Sequence, residues 1–535
     1  MNWNNFLLIF LLFASSVFGQ DIGITEVEIL QGYSPSIADA NRLNENAIFL
    51  DTVKKKRFLE YNAIDSEFIS NFKIKPLNAA EVKNDKIQQL SANQINIGFG
   101  SAWTNKSSIV HNSKRSKSIS YSIIANHFSN KYSLSKNSKN TLRLSGKKIT
   151  SNYILFANFM YDRKTNLYLN NDQLLSSSFY RNRFSYSKIS FSLTEKERSD
   201  FNLVSSTHFF VSDFNEMSEN QIHISTILNK NIRNTPFIFK ISFDNYLNYN
   251  NPDSRFTNTD YKSLSFTPTT SFRRNSLDFD ISVDLDFNSD ISALVFFPQL
   301  EFSNELVKNL IFIKGGLNHK KDRHTYKSLS DSNPFIHTFG TNQFINYKNS
   351  FLQKLKTTDY HEFYFYLRNK LSDSELLETE ISYAMVTDFA HFVMFDNDVY
   401  SRFKIDYLES VQQTNINVHY KKILNRIITL KANATYFSWN KNVNNRSKFK
   451  LDLRLPINLR SKIKITPTFT YFGERIILAG KLPSQFHANL SFSYIYSNQL
   501  TAFLSLNNLS NSKNDIWYGY KEVGFNGVFG VSFSF

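Results

Sequence analysis

The chain has 535 residues, a formal net charge of +16, 41% hydrophobic residues and 16% aromatic residues. So much aromatic surface excludes an intrinsically disordered chain, and the absence of cysteine excludes disulfide bonds, thiolate metal sites and a cysteine nucleophile. At the N-terminus, an apolar run followed by small residues predicts a secretory signal peptide over residues 1–19. No later apolar stretch approaches the roughly 18 residues that a membrane-spanning helix needs.

Residues 20–93 separate the predicted cleavage site from the part of the chain where one sequence period dominates. We predict that they form a short periplasmic extension or a partial plug. An extended segment of this kind offers a strand to the sheet of another envelope protein.

Polar and apolar residues alternate over long runs in residues 94–535, which is the pattern of β-strands whose two faces meet different surroundings. In KFKLDLRL, residues 448–455, the apolar positions are Phe449, Leu451, Leu453 and Leu455, and the charged positions are Lys448, Lys450, Asp452 and Arg454. A second run has apolar Phe279, Ile281, Val283 and Leu285 and acidic Asp278, Asp280, Asp284 and Asp286. The final run places Phe529, Val531, Phe533 and Phe535 on one face.

The length of these runs decides between two kinds of sheet. Strands of soluble proteins usually have about 5–6 residues, whereas a strand that crosses a bilayer needs about 9–11. We therefore predict an all-β fold, a transmembrane antiparallel barrel of about 22 strands, with 18–22 as the range, in the outer membrane of a Gram-negative bacterium. The alternative is a soluble propeller or sandwich, whose strands also alternate polar and apolar residues. The chain, however, lacks the blade repeat of about 40–50 residues that a propeller has.

The two faces of each strand then receive different roles. The apolar rows are expected to face lipid and the charged rows a wet lumen, because a Lys or Arg that faces lipid at the midplane costs about 2–4 kcal/mol. The row that ends at Phe535 is expected to serve as the C-terminal signal for the barrel-assembly machinery. Rows of opposite charge predict a polar, filled interior.

Residues near both ends of the barrel region resemble a known family. AFLSLNNL and WYGY near the C-terminus resemble the last strands of TonB-dependent receptors, and FKIKPLNAAEVKNDKIQQL with NIGFGSAW resembles plugless Bacteroidota members of that group. The resemblance implies an outer-membrane barrel with a transport role. Receptors of that family carry a plug ahead of the barrel, and residues 20–93 are shorter than such a plug, so the resemblance implies a barrel without a full plug.

The sequence contains none of the common catalytic or nucleotide-binding motifs. There is no G-x-S-x-G, H-E-x-x-H or P-loop motif, so we predict no enzyme, no catalytic residue, no metal and no cofactor. An outer-membrane enzyme such as a lipase stays an alternative, because neighbouring strands can bring His, Ser and Asn together without a local motif. The positive charge is spread over strands and loops, which favours anionic lipid headgroups as partners over nucleic acid.

The predicted function is solute transport across the outer membrane or service as a barrel subunit of an envelope complex, with a passive porin as the alternative. A barrel of about 22 strands is wide enough to leak if nothing fills it. Three candidates could block the lumen: residues 20–93, a long connection over residues 323–357, and a partner protein.

Overall fold

The alternation of the sequence becomes antiparallel pairing between strands that are neighbours along the chain. The computed structural model describes residues 91–535 except 115, 133–134, 169–180, 197–200, 216, 234, 250–259, 291–293, 337–354, 395–402 and 479. The predicted signal peptide and nearly all of the predicted extension over residues 20–93 therefore lie outside the described residues. The first strand begins at Asn93, one residue before the predicted start of the barrel.

The described residues contain 27 strands and one helix. The strands are β1 (Asn93–Gly100), β2 (Thr104–Asn112), β3 (Ile119–Tyr132), β4 (Ser135–Ile149), β5 (Tyr153–Tyr168), β6 (Arg181–Glu195), β7 (Asn202–Phe214), β8 (Met217–Ile232), β9 (Thr235–Tyr249), β10 (Tyr261–Arg274), β11 (Leu277–Asn288), β12 (Leu294–Val307), β13 (Ile311–Arg323), β14 (Thr357–Ser372), β15 (Glu375–Met394), β16 (Phe403–Ile423), β17 (Thr429–Trp439), β18 (Phe449–Arg454), β19 (Ile457–Leu459), β20 (Ile463–Phe472), β21 (Arg475–Ile477), β22 (Gly480–Leu482), β23 (Gln485–Ile495), β24 (Leu500–Asn507), β25 (Asp515–Trp517), β26 (Tyr520–Lys521) and β27 (Asn526–Ser534). The helix is α1 (Tyr326–Ser332).

The sheet closes on itself because β1 pairs with both β2 and β27. Ile97 lies opposite Val531 and Phe99 opposite Phe529 at this closure. β18 and β19 both pair with β20 and act as two halves of one strand, so the barrel has 22 strands. The predicted fold and strand number are confirmed. A closed barrel leaves no unpaired sheet edge in hydrocarbon, and the predicted localisation in the outer membrane is confirmed with it.

The strand predicted from KFKLDLRL is shorter than the alternation suggested. β18 contains Phe449–Arg454, so Lys448 precedes the strand and Leu455 follows it. Pro456 comes next, and a proline has no backbone N–H to donate to the neighbouring strand. Pairing with β20 resumes at Ile457.

The connections at the two ends of the barrel differ in length. Tight turns lie at the end where β1 begins and β27 ends, such as the β10–β11 turn, in which Asn275 and Ser276 have φ of 49° and 68°. Positive φ at both central residues is the geometry of a two-residue hairpin turn. The longest connections lie at the opposite end, which we assign to the cell exterior because barrel loops are longer there.

One pair of neighbouring strands departs from regular pairing. β12 and β13 are paired only as far as Leu300, which lies opposite Leu317. Below this point Lys314 forms an ion pair of 2.7 Å with Glu301, but above it the ring of His319 stacks at 3.6 Å on Phe297. Glu301 and Phe297 share one face of β12, whereas Lys314 and His319 lie on opposite faces of β13. The upper half of β13 therefore passes inside β12.

Candidate functional site at the barrel mouth

The connection between β13 and β14 carries the only helix of the described residues and lies where the sequence predicted the longest loop. We call its described first part, residues 324–336, the closing segment. Thr325 caps α1 by accepting a hydrogen bond of 3.1 Å from the N–H of Ser328, whose hydroxyl accepts one of 3.0 Å from the N–H of Thr325. Such a capping box favours the start of a helix. Pro334 disfavours helical geometry at Asn333, the residue that follows the last residue of α1.

A buried carboxylate on β8 holds the first turn of α1. Glu219 is 1% exposed and accepts hydrogen bonds from the N–H groups of Tyr326 and Lys327 at 2.8 and 2.9 Å. The hydroxyls of Ser212 and Tyr246 each donate to the same carboxylate at 2.6 Å. Buried polar groups need hydrogen-bond partners in place of water, and these four donors supply them for the carboxyl group of Glu219.

The C-terminal part of the closing segment is bound by β6. The side-chain amide of Asn182 donates to the carbonyl oxygens of Pro334 and Ile336 at 2.8 and 3.0 Å. Its oxygen accepts a hydrogen bond of 3.2 Å from Asn215. These bonds satisfy carbonyl groups of a segment that has no strand or helix of its own at this point.

The opposite wall contacts the same segment. Ile336 forms a parallel bridge with Phe403 at the start of β16, and the N–H of Phe403 donates to the carbonyl of Phe335 at 3.2 Å. A second inward connection, between β24 and β27, adds aromatic rings: Tyr520 stacks at 3.7 Å on Phe335, and Trp517 lies 5.2 Å from the ring of Phe403.

The positions of these contacts show that the closing segment crosses the barrel mouth. Lys164 on β5 pairs with Asp331 of the segment, and Phe403 on β16 pairs with Ile336. β5 and β16 are eleven strands apart in either direction around the barrel. A segment that touches both must lie across the interior. We define the inner face of each strand as the one that carries Glu219 or continues its row, and the outer face as the other.

Charge also holds the closing segment to the wall. Asp331 is hydrogen-bonded to Lys327, one turn earlier in α1, and to Lys164 of β5. Burial opposes ionisation of this carboxyl, but the hydrogen bonds from Lys164 and Lys327 outweigh that effect and lower its pKa. The contact is therefore strongest when Asp331 is ionised.

The acidic row predicted on β11 lies on the inner face, where its upper members are neutralised locally. Asp286 is fully buried and pairs with Lys321 at 2.7 Å. Asp284 lies 3.4 Å from His319 and 3.6 Å from Lys321. Lower on the strand, Asp278 pairs at 3.2 Å with Arg273, and both side chains are exposed. Asp280 is exposed as well.

The basic row predicted on β18 is not brought together with the acidic row. Asp452 pairs at 2.8 Å with Lys450 of its own strand and accepts a hydrogen bond of 2.8 Å from Thr470. Arg454 is exposed. Among the described residues, the ion pairs of these two rows form within each neighbourhood, and none joins one row to the other.

The apolar rows lie on the other face of the same strands. Exposed side chains there include Ile281 at 41%, Phe449 at 37% and Phe529 at 58%. The remaining predicted apolar positions with at least 40% exposure are Val531, Phe533 and Phe535, and those with intermediate exposure are Phe279, Val283, Leu285, Leu451, Leu453 and Leu455. Contact of the two faces with lipid and with water, and the role of the last row in assembly, stay predictions.

Sequence reasoning missed the residues that hold the mouth closed. Glu219, Asn182 and Phe403 come from β8, β6 and β16, and no local motif marks them. The period-two pattern could have placed Glu219 in a row with Gln221 and His223, but not beside α1. In the part of the chain that the structure describes, no group of three or more His, Asp or Glu could hold a metal ion. No helix there is long and apolar enough to cross a membrane.

Comparison with known proteins supports the architecture. No protein-family model and no curated protein sequence matches the chain. Among solved structures, the ferric enterobactin receptor PfeA of Pseudomonas aeruginosa is similar with a TM-score of 0.62 at 10% identity over 84% of this chain and 81% of that one. The siderophore receptor PirA from the same organism gives 0.61 at 12% identity over 84% and 81%. The ferric-catecholate import receptor Fiu of E. coli gives 0.60 at 9% identity over 84% and 82%.

The chain has the barrel fold of these receptors. They are TonB-dependent siderophore receptors with 22-strand barrels. At this level of identity the likeness concerns the fold alone. The predicted absence of a full plug and the predicted Bacteroidota origin are not addressed by it.

Proposed function

We propose that the protein is an outer-membrane barrel for solute uptake whose extracellular mouth is closed by its own closing segment. The observation that carries this proposal is the pair of contacts that the segment makes with Lys164 and Phe403 on opposite sides of the barrel. A passive porin needs an open mouth, so this closure favours regulated passage. Among the similar solved structures, Fiu is named an import receptor and PfeA a ferric enterobactin receptor, which supports uptake as the direction.

The closure is built to be displaced as a unit. Its contacts with the wall are hydrogen bonds, one ion-pair cluster, stacked rings and the apolar packing of Leu329 and Ile336, and no pairing between barrel strands has to break when they separate. Binding of a solute from outside that competes for these groups would shift the equilibrium toward an open mouth by as much as its affinity differs between the two states. The finer features, a barrel without a full plug and an origin in Bacteroidota, are part of this proposal and rest on the sequence.

Single-channel recording in planar bilayers tests the proposal. The wild type is expected to show little steady conductance, and a variant with a flexible Gly-Ser linker in place of residues 326–336 is expected to show a large increase. A variant with a Gly-Ser linker in place of residues 424–427, in the turn between β16 and β17 at the opposite end of the barrel, serves as the control.

Two results would contradict the proposal. A large steady conductance of the wild type would favour the passive porin. If neither the wild type nor the linker variant conducts, and an envelope protein stays bound through purification, the result would favour a barrel subunit of a complex.

A further inference from the structure

The outer face of β3–β6 carries a cluster of basic residues at its extracellular end. The cluster, called the basic outer patch, consists of Lys131, Lys136, Arg163, Arg181 and Arg183, and all five side chains are exposed. The strand registers bring them together. Lys131 lies opposite Lys136, and Leu167 separates Lys136 from Arg181 along the same row.

Alternation along the strands decides on which side of the wall the patch lies. Arg163 shares a face of β5 with Leu155, which is 41% exposed, while the adjacent Lys164 points to the other face and pairs with Asp331. Arg183 shares a face of β6 with Phe191, which is 52% exposed, while the adjacent Asn182 binds the closing segment. The patch therefore continues the apolar outer face and not the lumen.

Its height along the barrel coincides with the edge of the apolar band. The outer face of β5 is apolar from Tyr153 to Tyr161, and Arg163 is the next residue on that face. Eight residues of strand, tilted as in outer-membrane barrels, span roughly 20 Å of membrane thickness. The basic side chains thus lie where the headgroups of the outer leaflet meet the chain.

The structure describes no acidic partner for the charges of the patch among the residues that it covers. Within the described residues, none of the five side chains has an ion-pair or hydrogen-bond partner. The only acidic residue on the outer face of these four strands is Glu195, at the other end of β6. Four strands occupy about 15 Å of wall, so five cations share an area close to that of one large lipid headgroup.

We propose that the basic outer patch binds the phosphate groups of a phosphorylated lipid in the outer leaflet. The adjoining apolar face favours a lipid over a soluble anion, because an occupant of the patch has to place its remaining bulk against Tyr161 and Phe159, the apolar residues that precede Arg163 on the outer face of β5. Arg side chains bind phosphate through paired N–H groups, and Lys adds a point charge. This site is independent of the proposed uptake function and of the closing segment.

The test compares two triple variants of the full chain in nanodiscs that contain phosphorylated lipid A or the same lipid with its phosphates removed. The patch variant is Lys136→Gln, Arg163→Gln and Arg183→Gln. The control is Lys139→Gln, Arg143→Gln and Lys147→Gln, three exposed basic residues on the inner face of β4, so both variants lose the same charge. Heat-modifiable migration on gels verifies that each barrel is folded.

The patch variant is expected to bind phosphorylated lipid A roughly tenfold to a hundredfold more weakly than the wild type, and the control is expected to bind like the wild type. Equal loss in both variants, or no loss in the patch variant, would overturn the proposal. So would wild-type binding that persists after the phosphates are removed. Displacement of the lipid by inorganic phosphate at equal concentration would mean a free-anion site instead.

Discussion

Glu219 is the residue on which most contacts of the closed mouth converge. A buried carboxylate without partners would take up a proton or destabilise the fold, but four donors from three parts of the chain surround this one. Two of those donors are backbone groups of α1. The side chain therefore joins the wall to the helix directly.

We predict that Glu219→Ala releases the closing segment while the barrel stays folded. The substitution leaves four buried donors without an acceptor, which costs about 3 kcal/mol. Limited proteolysis should then cleave the segment at Lys327, which the wild type protects. Asp373→Ala, at a fully exposed turn, is the control. Unchanged protection in Glu219→Ala would show that other contacts hold the segment.

Asp331 gives the closed mouth a pH dependence. Its pKa is lowered in the folded protein, so the contribution of this carboxyl to docking is complete above its ordinary pKa of 3.8 and is lost as the pH falls through the lowered value. We expect bilayer conductance to rise only below pH 3.8. Asp331→Asn should weaken docking already at neutral pH and flatten that dependence. An identical acid response of both proteins would exclude Asp331 as its source.

At the scale of elements, the strands follow from local pattern and the closing segment does not. The run that begins at Leu277 alternates over twelve residues and forms a strand over the same residues. In the closing segment, a capping box and a proline explain why α1 begins and ends where it does, but not why it lies in the lumen. Its position depends on Asn182 and Phe403, which are distant in the sequence.

The crossing of β12 and β13 depends on a glycine. A Cβ at Gly316 would lie 2.0 Å from the carbonyl oxygen of Leu300, so any side chain there would force the strands apart. We predict that Gly316→Ala lowers the free energy of unfolding by about 1–3 kcal/mol. Urea unfolding in detergent measures the change. Gly146→Ala is the matched control, because a Cβ at that strand glycine meets no atom within 4 Å. Equal stability of the two variants would contradict the close approach.

For the whole molecule, closure of the sheet creates an inside and an outside. β1 pairs with β27, so each of the 22 barrel strands has two hydrogen-bonded neighbours along at least part of its length. The two faces of each strand then belong to two separate surfaces. Side chains that alternate along one strand are thereby assigned to the outer or the inner face by the closure of the whole sheet.

Two adjacent residues of β11, one on each face, test the assignment of the two faces. Ile281 lies near the middle of the outer face and is 41% exposed, whereas Ser282 lies on the inner face. We expect Ile281→Lys to lower the free energy of unfolding from a bilayer by about 2–4 kcal/mol and Ser282→Lys to have little effect. Equilibrium folding into lipid vesicles measures both. A larger loss for Ser282→Lys would reverse the assignment of the faces.

The sequence by itself determined the barrel, its strand number and the outer-membrane setting, because period-two alternation and strand length are local properties that a bilayer selects directly. Only the tertiary structure decided that the mouth is closed and that β13 passes inside β12. Both features depend on groups far apart in the chain, such as Glu219 with Tyr326 and Leu300 with Gly316. The period-two pattern around each of these residues does not specify which distant residue it will contact. The closure of the sheet determines those contacts.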